Sequence, residues 1–67
     1  MTNAEKLFTF VNARVGELNG NPVPFWEIVR FAQELDPGVM LETESDFCEF
    51  RFMDKSDATF AYRDESF

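Results

Sequence analysis

The candidate catalytic side chains in this chain include one cysteine, Cys48, and thirteen carboxylic acids. The sequence contains no histidine, so it lacks the commonest general base and the commonest neutral metal ligand. Cys48 falls on the side of its strand that is predicted to face inward. There a thiol fills core space more often than it acts as a nucleophile. The cysteine therefore does not predict an active site.

The carboxylates do not predict an enzyme either. Glycosidase chemistry needs two acids that flank a sugar-binding cleft, and a chain of 67 residues has little room for a cleft. The segment Asp54–Asp57 has the acidic spacing that opens a calcium loop, but Thr59 stands where such a loop needs glycine. We predict no catalytic residues, no cofactor and no metal, with an acidic calcium-binding domain as the weakest alternative.

Net charge indicates the kind of partner. The formal charge is −7 and the isoelectric point is near 4.3, so the chain is repelled by nucleic acid and by anionic membranes. We expect no direct contact with either, and a basic protein surface is the natural complement. A lone cysteine, no apolar run of membrane-spanning length and no signal-peptide pattern lead us to expect a cytoplasmic location.

Two amphipathic helices are predicted in the first half of a single domain, residues 1–67. Thr2 and Glu5 form a capping-box pattern at the start of a helix over 3–18. Gly20 suits a left-handed position after that helix, and Pro24 suits the start of a second helix over 24–36. The apolar stripes of the two helices comprise Ala4, Leu7, Phe8, Val11, Val15 and Leu18, and then Phe25, Ile28, Val29, Ala32 and Leu35.

From Val39 onward the apolar period becomes two, which predicts strands over 39–44, 47–53 and 58–63. Turns at 45–46 and 55–57 give an antiparallel meander. These turns place two rows of side chains inward, Leu41/Phe50/Tyr62 and Val39/Phe52/Phe60, with Thr43 across from Cys48. The predicted fold is a two-layer α+β domain, ααβββ, with both helices on the apolar face of the sheet.

The same register predicts an acidic outer face. Glu42 is expected directly across from Glu49, with Arg63 beside Glu49 on the third strand. Side chains on one face of a strand repeat at about 6.7 Å, roughly two base steps of DNA. Residues 39–67 carry eight acids and three bases, against five acids and three bases in 1–38. The predicted partner-binding residues are Glu42, Glu44, Asp46, Phe47, Glu49, Asp54 and Asp57, with Phe47 as an apolar anchor among the acids.

Two other interpretations stay open. The acids also suit an ordinary solvated edge, where charge favours solubility and discourages aggregation. Trp26 and Phe31 flank the second apolar stripe, so they form either the cover of a small core or a secondary interface. In the latter case the chain is a small regulatory subunit or a homodimeric interaction module, and its acidic face only keeps it soluble. A monomer or a weak dimer is expected.

A very short, strongly acidic, single-domain chain without catalytic residues resembles the small inhibitors encoded by phages and mobile elements that mimic nucleic acid, the anti-CRISPR and anti-restriction proteins. The resemblance lies in overall character and in the predicted acidic sheet face, not in a sequence motif, so no family residues are carried over. It implies a non-enzymatic inhibitor in the host cytoplasm. Such a protein binds the basic nucleic-acid-binding surface of a CRISPR effector or a restriction enzyme.

Overall fold

Two helices are followed by a three-stranded antiparallel sheet in the computed structural model, which describes residues 1–61. The helices are α1 (Asn3–Glu17) and α2 (Phe25–Leu35). The strands are β1 (Met40–Thr43), β2 (Phe47–Arg51) and β3 (Asp57–Ala61), in the spatial order β1-β2-β3. The α+β fold class with N-terminal helices is confirmed. Neither described helix has the length and apolar character that crossing a membrane requires.

The ends of the first helix follow the sequence signals. The Thr2 hydroxyl accepts from the Glu5 amide at 3.1 Å, and the Glu5 carboxylate accepts from the Thr2 amide at 3.0 Å, which completes the capping box. After the helix, Gly20 has a φ of +83° and its amide donates to the Val15 carbonyl at 2.9 Å. Both helices end one residue before the predicted boundary.

The core lies between the helices and the β2–β3 half of the sheet. Leu7, Cys48 and Phe50 are completely buried. Aromatic rings join the two layers, since Phe25 and Phe50 have centroids 6.4 Å apart and Phe8 and Phe60 have centroids 4.7 Å apart. The other buried core side chains are Ala4, Val11, Val23, Ile28, Ala32, Phe52 and Ala58.

The first hairpin has the predicted register. Leu41 pairs with Phe50, Glu42 with Glu49, and Thr43 with Cys48. Residues 45–46 form the turn: the Glu44 amide donates to the Phe47 carbonyl at 2.8 Å, and the reciprocal bond measures 3.3 Å.

The pairing register of the second hairpin differs from the predicted register by four residues. Phe50 pairs with Ala58 instead of Tyr62, and Phe60 pairs with Cys48 instead of Phe52. The turn occupies 53–55, two residues earlier than expected, with Lys55 at a φ of +68°. Because four is an even number, the predicted inward and outward sides of β3 are unchanged. Tyr62 itself lies outside the described residues.

Two carboxylates explain why the second turn lies earlier in the sequence than predicted. The buried Asp36 accepts from the Gly38 amide at 2.9 Å and from the Met53 amide at 2.7 Å. Asp54 accepts from the Asn3 amide at 2.8 Å and from the Ser56 amide at 2.9 Å. The turn is thus tied both to the end of α2 and to the start of α1. The periodicity of apolar residues in the sequence does not indicate such hydrogen bonds between distant residues.

The predicted inward placement of the β1 side chains is only partly correct. Leu41 and Thr43 were expected in the core, but Leu41 is 41% exposed and Thr43 is exposed as well. Both lie on the helix side of the sheet, in register with the buried Phe50 and Cys48. The helices cover β2 and β3, with α1 against β3, and leave the inner side of β1 open.

We expect Asp36→Ala to lower the free energy of unfolding by about 2–4 kcal/mol, because two partly buried hydrogen bonds to backbone amides lose their buried, charged acceptor. Asp36→Asn keeps one acceptor oxygen and should fall between Ala and the parent. Urea unfolding followed by circular dichroism measures both. Asp46→Ala, an exposed acid in the other turn, is the control and should change stability by less than about 0.5 kcal/mol. Equal losses for Asp36→Ala and Asp46→Ala would contradict this account.

The Asp54 contacts also predict a pH dependence. The pKa of Asp54 is lowered from its ordinary value of 3.8, first by the Ser56 hydroxyl and then by the Asn3 and Ser56 amides. A lowered folded-state pKa contributes stability that is fully present above the unfolded value and is lost as the pH falls through the folded value. The stability difference between the parent and Asp54→Ala should therefore be constant above about pH 5 and shrink below about pH 4. A difference that stays constant down to pH 2 would refute the assignment.

Candidate partner-binding site

The outer face of the sheet carries most of the predicted binding residues in adjacent rows. The register aligns Glu42, Glu49 and Thr59 in one row and Met40, Arg51 and Asp57 in the next. Phe47 lies across from Ala61 at the end nearest the first turn. We call this surface the acidic face and define it by Glu42, Glu44, Phe47, Glu49, Arg51 and Asp57.

An open depression of about 210 Å³ lies within the acidic face. Three glutamates line it together with one aromatic ring and one hydroxyl: Glu42, Glu44, Glu49, Phe47 and Thr59. Phe47 is 54% exposed although it is the largest side chain there. The structure thus brings together four of the seven predicted residues around one concave surface. Asp57 lies two rows away from Phe47, and Asp46 lies exposed in the adjoining turn.

Arg51 relieves the repulsion between the two glutamates that face each other across the strands. Its Nε lies 3.0 Å from Oε1 of Glu49, and its Nη2 lies 3.6 Å from Oε2 of Glu42. The hydrogen bond from Arg51 to Glu49, followed by the charges of Glu42 and Glu49, raises the pKa of the guanidinium. Sequence reasoning assigned this role to Arg63, which lies outside the described residues. The alternation of Glu49 and Arg51 on one strand face is the sequence signal that could have indicated the Arg51 contacts.

Asp54 does not join the other acids. Its carboxylate accepts from the Asn3 amide and from both the amide and the hydroxyl of Ser56. These bonds orient the carboxylate toward the turn and the first residues of α1. Its observed contacts are therefore structural, and its predicted part in partner binding stays a prediction.

The predicted secondary interface separates into an exposed residue and a packed one. Trp26 is 54% exposed and lies between two open grooves. Phe31 is half-buried and stacks on Phe10, with ring centroids 4.1 Å apart and planes 10° from parallel. Phe31 thus helps to cover the core edge, while Trp26 presents its surface to solvent.

An ion pair that sequence reasoning missed holds the two helices together beside Trp26. Nε and Nη2 of Arg14 lie 3.1 and 3.2 Å from the two carboxylate oxygens of Glu27, and Nη1 bonds Glu17 at 2.8 Å. The Glu27 bonds, then that to Glu17, raise the pKa of Arg14. The sequence shows only that the two helices carry opposite charges. This pattern does not identify which acidic and basic side chains form ion pairs.

The single thiol of the chain, Cys48, lies in the core. Burial raises the pKa of the Cys48 thiol to about 11 and leaves it no exposed surface. A thiol in that state is protonated at neutral pH and shielded from reagents. Among residues 1–61, no three side chains of histidine, cysteine or acid type form a group that could hold a metal ion.

Comparison with protein-family models, with curated proteins and with solved structures gives no match in any of the three. The arrangement of the described residues is therefore the basis for a functional assignment.

Removing Arg51 should expose the repulsion between Glu42 and Glu49. We expect Arg51→Gln to lower the urea midpoint, and we expect Glu42→Gln in the same chain to restore much of the loss. Both effects should diminish in 1 M salt, where charges on the surface are screened over about 3 Å. Arg30→Gln, which removes a cation from the exposed side of α2, is the matched control. A double variant no more stable than Arg51→Gln would show that Arg51 acts by packing alone.

Proposed function

We propose that this protein is a non-enzymatic inhibitor that uses its acidic face to bind the basic nucleic-acid-binding surface of another protein. The observation that carries the proposal is the concave cluster of Glu42, Glu44 and Glu49 around the exposed ring of Phe47. Anionic side chains around an aromatic anchor complement a basic surface with an apolar pocket.

The spacing of the acids supports competition with nucleic acid. Residues that alternate along one face of a strand, such as Glu42 and Glu44, lie about 6.7 Å apart, close to two base steps of one DNA strand. Arg51 reduces the net charge of the face, but it also holds Glu42 and Glu49 in defined positions. Carboxylates held in this way lose less side-chain freedom on binding than free ones.

The overall charge of −7 supports rapid association with a cationic partner. Long-range attraction steers the encounter, and salt screens it within a Debye length of about 8 Å at physiological ionic strength. The partner affinity should therefore depend strongly on salt concentration. The resemblance to anti-CRISPR and anti-restriction proteins extends the proposal to a host defence protein as the partner, with the cytoplasm as the site of action.

The second candidate function is a small regulatory subunit or a homodimeric module that binds through Trp26. The observation that favours it is the 54% exposure of an indole ring, since tryptophan is enriched among residues that dominate interface energies. In that case the acids serve solubility alone. Tryptophan fluorescence that shifts with protein concentration, together with dimers in sedimentation at micromolar concentration, would favour this alternative.

Immobilised protein tests the first candidate by capture from a bacterial lysate with sonicated duplex DNA or total RNA as competitor. We expect a basic nucleic-acid-binding protein to be captured and then displaced by the competitor. Glu42→Gln/Glu44→Gln should weaken its binding about three- to thirtyfold, and a rise in salt should weaken it as well.

The control variant Glu17→Gln/Glu34→Gln removes the same two charges from the helices and should leave the affinity almost unchanged. If both double variants lose affinity equally, only net charge matters and the acidic face is not the site. If neither the competitor nor salt affects capture, competition with nucleic acid is wrong.

A further inference from the structure

Among residues 1–61, no strand lies beside the outer edge of β1, so the backbone groups of this edge can pair with another strand. The two bonds between Glu44 and Phe47 make them a hydrogen-bonded pair. Hydrogen-bonded and non-bonded pairs alternate along an antiparallel ladder, so Met40 and Glu42 also direct their amides and carbonyls toward β2. Leu41 and Thr43 consequently direct theirs to the opposite side. Within the described residues, β2 is the only neighbour of β1 in the sheet.

An apolar groove adjoins this edge on the helix side. Phe25, Trp26 and Val29 of α2 line it together with Leu41, and Arg30 and Gln33 lie along it. Its volume is about 550 Å³. A strand added beside β1 would direct the side chains opposite Leu41 and Thr43 toward this groove, because paired residues share a face of the sheet.

The other face of the added strand would meet the acids. Residues opposite Glu42 and Glu44 point to the outer side, with Cβ atoms about 4.5–5.5 Å from those of the glutamates. Basic side chains fit at these positions, and apolar ones fit at the alternate positions over the groove. The edge and the two adjoining surfaces thus define a pattern for the ligand, alternating basic and apolar residues in an extended segment.

A second copy of this chain fits the edge poorly. In antiparallel self-pairing, a register centred on Glu42 places Glu42 across from the same residue of the second copy. A register centred on Thr43 places Glu42 across from Glu44 of that copy. Like charges directly across strands are destabilising. Registers centred on Leu41 or Met40 avoid this, by placing Glu42 across from Met40 or from Gly38, respectively.

We propose that the β1 edge and the α2–β1 groove together bind an extended segment of the partner protein as an added strand, with basic residues along Glu42 and Glu44 and apolar residues against Trp26 and Leu41. This inference rests on the proposed function for the charge of the partner and adds the mode of binding. Backbone pairing supplies affinity, and the alternating side chains supply specificity.

The probe is a blocked heptapeptide that alternates lysine and valine and begins and ends with lysine. The control peptide has the same sequence with N-methylated valines, which keeps the charge but removes the amides that would pair with Leu41 and Thr43. Hydrogen exchange of the protein is followed by NMR. We expect the lysine–valine peptide to slow exchange at Leu41 and Thr43 at least about tenfold at saturation. The amides of Met40 and Glu42, already bonded to β2, are the internal controls.

Trp26→Ala should weaken binding of the lysine–valine peptide about tenfold, and the N-methylated peptide should bind more weakly still, without protecting either amide. Equal binding of the two peptides with unchanged exchange would overturn strand addition while leaving recognition by charge intact. If neither peptide binds, the inference is wrong. The lysate capture tests the proposed function independently. Protection of Leu41 and Thr43 that grows with protein concentration alone would assign the edge to a second copy instead.

Discussion

The tethering of one turn by two carboxylates is the constraint on which the rest of the structure depends. Asp36 binds the turn to the end of α2, and Asp54 binds it to the first residue of α1. Ser56 adds a further bond, since its hydroxyl accepts from the Ala4 amide at 3.1 Å. A chain of 67 residues buries only about 60% of the surface that its unfolded form exposes, less than larger domains do. A few charge-assisted hydrogen bonds between residues distant in sequence therefore contribute much to the orientation of the helices relative to the sheet.

The position of that turn decides which acids meet on the outer face. With the turn at 53–55, Asp57 lies across from Arg51, and Glu49 lies across from Thr59. A turn two residues later would have carried Asp57 out of the strand and put Ala61 in the row of Arg51. The bonds that hold the turn are thus structural. By fixing the position of the turn, they also determine which residues lie in the acidic face.

Local signals were sufficient to predict most of the fold. The capping box, the left-handed Gly20, the two apolar stripes and the first hairpin all depend on residues close together in sequence. The second turn was mispredicted because its position depends on bonds to Asn3 and Asp36, which are remote in sequence. For the candidate site, periodicity predicted that Glu42, Phe47 and Glu49 share a face. It gave no information on the Arg51 contacts or on how far the helices extend over β1.

The incomplete cover of β1 connects the packing of the core with the exposed surfaces. α1 lies against β3, and the Phe25–Phe50 contact holds α2 over β2, so the inner side of the first strand stays open. Leu41 then becomes part of a groove wall instead of the core, and Trp26 remains on the far wall of the same groove. An exposed edge strand with apolar flanks favours aggregation, and acidic side chains such as Glu42 and Glu44 oppose it. The same two glutamates that discourage pairing with another acidic strand favour pairing with a basic one. Protection against self-association and the proposed selection of a cationic partner are therefore two consequences of one charge distribution.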